Sequence, residues 1–572
     1  MKPLKRKFLP KDLSIKSWGN VEKYFIELEK RKIVSAEGMK EWLSNRSELD
    51  AVLDEELAWR YIKMNLETGN TKLAEQFNFF VSEIEPRISE QSNKLDQKLA
   101  KLTYVDEINE DGYSVMMRSI RNQIKLFRKE NIPLKAELQK EEQEFGLVSS
   151  EMTINYNSEE MTLQKAANFL RDTNRNVRKD VFKLITERRL KDVEKLDKLL
   201  DRLIEKRQNL AANAGYTNYR DFKADELNRF DYSVDDVLKF HEAIASEVKP
   251  LVEKIQKNRK EKLGYEKLRP WDTVVDIDLK PALKPFKKSS ELITNTIKCF
   301  KKIDPRFGSF ISTMDEMKYL DLDSRKGKAP GGFNYPLHES NVPFIFMNAT
   351  GNLRDLETMV HEGGHAIHSF LTSNLALVDF KSTPSEVAEL ASMSMELISM
   401  EHWDVFFKSE EDLKRARRSQ LEGIIEVLPW VATVDKFQHW LYLNPKHSHT
   451  ERANAWAEIA KEFGGTLVDW SGFETAYAKN WQKQLHIFEV PFYYIEYAIA
   501  QLGAIAVWKN YKENPAKAIA NYTNALKLGY TKTIPEIYET AGIRFNFSKE
   551  YVKELMSFVA TELEGLLDKK KI

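Results

Sequence analysis

The sequence predicts a mostly α-helical ellipsoid carrying one small β-sheet beside a long helix, and three observations carry that expectation. Apolar residues recur at three- and four-residue steps between charges through most of the chain. Glycine and proline are sparse over the first two hundred residues, which implies short connections. One stretch, "RKGKAPGGFNYPLHESNVPFIFMNATGN" at residues 325–352, has the Gly-Gly and Pro punctuation of a β region.

Taken in order, "VEKYFIELEKRKI" and "DVFKLITERRLKDVEKLDKLLDRLIEKRQNL" read as amphipathic helices of the first zone. The break between them, "GLVSSEMTINYNSEEMTLQKAANFL", alternates around Met152 and Ile154, which suggests a brief strand or turn, and Thr162 stands where a helix N-cap belongs. A second zone, about 205 to 300, is helical again apart from the irregular, proline-bearing connection "GYEKLRPWDTVVDIDLKPALKPF". The β region follows, with extended runs expected at Gly332–Leu337 and Pro343–Met347. From residue 353 to the end the pattern is helical.

Composition excludes several classes. The chain has 572 residues with Lys+Arg and Asp+Glu both at 88, so no net charge draws it to nucleic acid or a membrane surface. Cys299 is the only cysteine, which rules out an internal disulfide or a cysteine zinc site and fits a reducing compartment. The basic N-terminal stretch lacks the apolar core of a signal peptide, and the longest apolar run, Tyr497–Trp508, is too short to span a bilayer. A cytoplasmic location without nucleic-acid or membrane partners is expected; oligomeric state is not readable.

Chemistry concentrates in "VHEGGHAIHSF", residues 360–370. On a helix, His361 and His365 stand ~400° apart and ~6 Å along the axis, so both rings leave one face. That spacing suits two imidazoles on one zinc ion. Glu362 lies ~100° from His361, badly placed as a third ligand and well placed as a base acting on metal-activated water. His368 falls on the same stripe, with its role open. Two glycines in a helix cost about 2 kcal/mol relative to alanine, a cost that tertiary packing can outweigh; small residues at 363 and 364 also let another segment approach closely.

Zinc with two histidines needs a third protein ligand and an open position. "STPSEVAELASMSMEL" puts Glu386, Glu389 and Glu396 near one face of a helix. Glu389 follows His361 by 28 residues, enough for helix, loop and returning helix. For Glu386 a solvated acidic stripe is an equally good reading. Farther on, "LHIFEVPFYYIEYAIAQ" offers His486, Tyr494 and Tyr497 as donors to an oxyanion, against the alternative of an ordinary aromatic core.

Together these residues resemble the M3 metallopeptidases (thimet oligopeptidase-like), in their oligoendopeptidase F branch. The resemblance rests on "HEGGHAIH", "VAELAS", "HIFEVPFYYIEYAIAQ", "GKAPGGF" with "VPFIFMN", and "RQNLAANAGYTNYRDF", and it spans roughly residues 200–550. It implies a helical two-lobed fold with a deep substrate channel, a helical lobe over the channel at 1–204 and a catalytic region at 205–572. It implies one Zn2+ held by His361, His365 and Glu389, with Glu362 as general base. His486 and Tyr497 would stabilise the oxyanion and Tyr494 would lie near the substrate, with Tyr493 leaving the register open. Gly331, Gly332 and Phe333, with an edge strand near Pro343–Asn348, would bind short peptide substrates by strand addition. The implied activity is a zinc-dependent endopeptidase. A metallocarboxypeptidase or dipeptidyl carboxypeptidase, or a helical peptide-binding protein with a structural or vestigial zinc, are the alternatives.

Overall fold

The computed structural model describes residues 3–108 and 110–567, the side chains of residues 105 and 106 excepted; Met1 and Lys2 of the basic N-terminal stretch lie outside it. The chain is mostly α-helical with small sheets. It divides into two compact units, each assembled from three separate stretches. One gathers residues 1–129, 284–413 and 503–545; the other gathers 130–283, 414–502 and 546–572. Among the described residues no helix is long and apolar enough to cross a membrane.

In the first unit, the long helix Leu353–Thr372 begins at Asn352, whose side chain accepts from the Asp355 N–H while Asp355 accepts from the Asn352 N–H. This reciprocal cap satisfies donors that a helix start leaves orphaned. Leu356, Met359, Val360, Ala366 and Ile367 are completely buried. Burying an aliphatic side chain of the size of Val360 or Ile367 contributes roughly 1.5–3 kcal/mol, so this face outweighs the cost of Gly363 and Gly364. The glycines do not open the helix.

Beside it lies a three-stranded sheet ordered Leu320–Asp323, Phe344–Ala349, Phe333–Tyr335. The outer strands pair with the middle one in parallel and antiparallel fashion respectively. The run near Pro343–Asn348 is the central strand, flanked on both sides, and the edge is Phe333–Tyr335. The parallel strand Leu320–Asp323 was not anticipated, because four residues rich in aspartate carry little β signal. Lys328 helps to hold it: the fully buried ammonium donates to the carbonyls of Asp321, Asp323 and Met347, joining the new strand to the central one.

In the second unit, the alternation at Met152 and Ile154 becomes a hairpin, Thr153–Tyr156 with Glu159–Thr162, so the described residues form two small sheets where one is expected. Asn157 and Ser158 at the turn both adopt positive φ, the geometry of tight hairpins. Thr162 caps the helix that follows, accepting from the Lys165 N–H. The long run from 180 to 210 is two helices, Arg175–Leu190 and Val193–Asn213, interrupted at Lys191–Asp192. The proline-bearing connection is pinned by Asp272, whose carboxylate pairs with Arg178 and Arg175.

Candidate active site

The helix Leu353–Thr372 and the helix Ser385–Met400 pack face to face, and the glycine pair sets how closely. A Cβ on Gly364 would lie 2.5 Å from Ser392 Cα and 2.8 Å from Ala391 O, while one on Gly363 would meet the Phe300 ring at 2.7 Å. The backbone of the second helix therefore rests directly on Gly364. Gly364→Ala is expected to push the helices apart, which offsets its gain in helix propensity with overpacking of about 1–3 kcal/mol. The variant should melt lower and bind metal more weakly; unchanged melting and unchanged metal titration would contradict this close-packing role.

The approach brings three donors together. His361, His365 and Glu389 each offer one ligand atom, all within 4.8 Å of one another. Glu389 Oε2 lies 3.4 Å from His361 Nε2 and 3.7 Å from His365 Nε2. Those distances exceed ordinary hydrogen bonds. They are close to the spacing of about 3.3 Å between donors that share a tetrahedral zinc at bond lengths near 2 Å. The donor set, two imidazoles and a carboxylate, suits zinc, and the residues fit the ion. Both histidine side chains are about one-fifth exposed, so the face is open to a further ligand.

The surroundings orient the donors. Glu396 Oε1 lies 2.6 Å from His361 Nδ1 and holds the ring with Nε2 toward Glu389. His365 bonds the backbone of Ala388 through its ring. Burial acts to lower His361, but the Glu396 hydrogen bond and the charges of Glu389 and Glu396 raise it to about 9. Burial and the neighbouring His361 push His365 well below its ordinary value. Glu396 is a partner that spacing alone left open: it lies two helical turns beyond Glu389 on the same face. Glu386 is buried, so the solvated-stripe reading fails for it. His368 is buried too and stands outside the donor cluster, bonding the backbone of Leu526.

Glu362 is buried beside the donors, and burial raises its carboxyl to about 7, with His361 opposing and the charges of Glu389 and Glu396 adding to the rise. Its backbone carbonyl accepts from Asn334 Nδ2 at 3.4 Å, linking the edge strand Phe333–Tyr335 to the helix. Gly331 and Gly332 are exposed just before that strand, with Gly331 at φ +101° and its carbonyl accepting from Asn348. Phe333 stacks on Phe346 at 4.7 Å, so its ring packs within the sheet and its backbone forms the edge.

His486 and the tyrosines belong to the second unit. The His486 ring lies 4.6 Å from Tyr494, 5.8 Å from Tyr497 and 6.3 Å from Tyr493. The preceding turn is unusual: Phe492 adopts φ +65°, and its N–H donates to Gln438 Oε1 at 2.8 Å. Non-glycine residues in that region cost about 1–2 kcal/mol. Arg229 offsets the strain, donating to the Phe492 carbonyl and pairing at 2.8 Å with Glu496, a buried residue between Tyr494 and Tyr497. No sequence signal links Arg229 to a segment 267 residues away.

His486 is held in one tautomer by a chain of hydrogen bonds. Trp430 Nε1, a donor only, gives to Gln484 Oε1 at 3.1 Å, which turns the Gln484 amide nitrogen toward His486 Nδ1 at 2.6 Å. Nδ1 thus accepts, and the ring proton sits on Nε2. Burial lowers His486 to about 4, so at neutral pH it is an uncharged imidazole with an Nε2–H to donate.

Comparison with known proteins agrees with this arrangement. Residues 168–557 match "Peptidase family M3" and residues 12–127 match "Peptidase M3 N-terminal domain". The chain is 21% identical over 422 residues to oligopeptidase PepF of Bacillus subtilis, covering 73% of this chain and 61% of that protein. It is 25% identical over 221 residues to an oligoendopeptidase F homolog of Borreliella burgdorferi, covering 38% and 36%. The matched region thus spans 36% to 61% of these curated relatives. The structure of PZ peptidase A with an inhibitor superposes with a TM-score of 0.91 at 25% identity, over 98% of this chain and 100% of that one. Oligoendopeptidase-F from Enterococcus faecium shares the fold at a TM-score of 0.64 and 17% identity, over 96% and 97%. The donor cluster falls inside a family match that covers most of the sequence: the chain belongs to peptidase family M3.

Proposed function

We propose that the protein is a zinc-dependent endopeptidase that hydrolyses internal bonds of short peptides in the cytoplasm. The observation that carries this reading is the three-donor cluster of His361, His365 and Glu389, with buried Glu362 adjacent on the same helix. When bound, zinc supplies Lewis acidity, polarising a carbonyl and acidifying water. Glu362 takes a proton from the attacking water and returns it to the leaving amine. A carboxyl poised near 7 can do both, and the ionised form is favoured further beside a cation. Glu396 keeps the His361 ring aimed.

His486 and Tyr497 donate to the oxyanion, with Tyr494 near the substrate, as the family resemblance implies. The fixed Nε2–H tautomer of His486 supports that role. Gln484→Leu releases the ring, and kcat should fall about two- to tenfold, the worth of one neutral hydrogen bond, with KM little changed. A variant with unaltered kcat would remove Gln484 from the account. Gly331, Gly332 and the edge strand at Phe333 offer main-chain partners to an extended peptide. In this scheme 205–572 carries the catalytic residues, and 1–204 is a helical lobe that restricts access to them.

The experiment is digestion of peptides blocked at both ends, with products read by mass. Internal cleavage supports the endopeptidase; cleavage confined to peptides with a free C-terminal carboxylate identifies a carboxypeptidase or dipeptidyl carboxypeptidase instead. Binding without any cleavage would leave a peptide-binding protein.

A further inference from the structure

In the second unit lies a cavity of about 310 Å³. Its walls are mainly apolar, with Leu163, Leu170, Phe182, Ile185 and Trp470 among them. Two cations, Arg189 and Lys483, also line it. Among the described residues neither pairs with a carboxylate; Lys483 has only the face of Trp430, 4.5 Å away. The other lining groups with long polar side chains are occupied. Lys479 pairs with Asp197 at 2.6 Å, and Gln482 donates to the Val193 carbonyl at 3.0 Å.

Arg189 is half-buried and Lys483 exposed at the rim of this apolar wall, and their like charges repel, a cost that an anion between them would remove. The size is that of a pocket for one small molecule.

We propose that this cavity binds a small aliphatic carboxylate, its chain against Leu163, Leu170 and Ile185 and its carboxylate between Arg189 and Lys483. The apolar wall selects the chain and the paired cations select the head group. A peptide fits less well, because its amides would need partners on a wall where Lys479 and Gln482 are already engaged. The cavity is lined by residues of the second unit alone, and the proposal is independent of the peptidase assignment.

The test is calorimetric titration of the full-length protein with decanoate, with decanol as the probe lacking charge and N-acetyl-Leu-Phe as a peptide carboxylate. Decanoate should bind, decanol at least about tenfold more weakly, and the double variant Arg189→Met/Lys483→Met should lose about tenfold or more for decanoate. Lys483→Met alone, on a short turn, provides the test if the double variant does not fold, and it should weaken decanoate in the same direction. Decanoate affinity unchanged in the variants, decanol binding as tightly, or tighter binding of the peptide would each overturn the proposal.

Discussion

Glu362→Gln is expected to keep its metal and lose peptide hydrolysis by about two to four orders of magnitude. The substitution preserves shape and burial while removing the group that moves the proton. The side chain sits beside His361 but does not belong to the donor cluster, so elemental analysis should find the wild-type metal content. The amide fills the same buried volume and can still accept a hydrogen bond, so the variant should also fold normally. Metal-loaded Glu362→Gln with near-normal turnover would sink the assignment of this residue as the base.

His365→Ala should lose most of the bound metal, and activity with it. It removes one of three donors and leaves His361 and Glu389, too few to hold the ion tightly. Glu396 provides the internal comparison, since it bonds His361 Nδ1 and stands outside the three-donor cluster. Glu396→Ala should weaken metal binding by roughly 10- to 100-fold, the usual cost of an outer partner, and His365→Ala by clearly more. Equal metal content in His365→Ala and wild type, read by elemental analysis after dialysis, would contradict the ligand set.

The helical class and the clustering of His361, His365 and Glu389 were legible in the sequence because both rest on local periodicity. His361 and His365 share a face by arithmetic, and the acidic helix returns Glu389 to them as its spacing allowed. Gly363 and Gly364 were legible as points of close approach, and the Phe300 ring and the Ser392 backbone are what approach them. What stayed hidden depends on residues distant in sequence. The strand Leu320–Asp323 exists because buried Lys328 and the central strand fasten it, not because aspartates favour β structure. The strand expected at the edge near Pro343–Asn348 is central because strand order is a tertiary property that a run of apolar residues does not encode. The orientation of His486 rests on Trp430 and Gln484, and the strained turn at Phe492 rests on Arg229; neither pairing leaves a mark in local pattern.

The central claim is that one metal ion on His361, His365 and Glu389 is required for peptide-bond cleavage. Its most direct test is to strip the protein with a chelator and titrate zinc back while following cleavage of a doubly blocked peptide. The account predicts that the stripped protein is inactive and that activity returns in proportion to zinc, reaching its plateau at one equivalent. Cleavage that persists at its original rate in the stripped protein would contradict it.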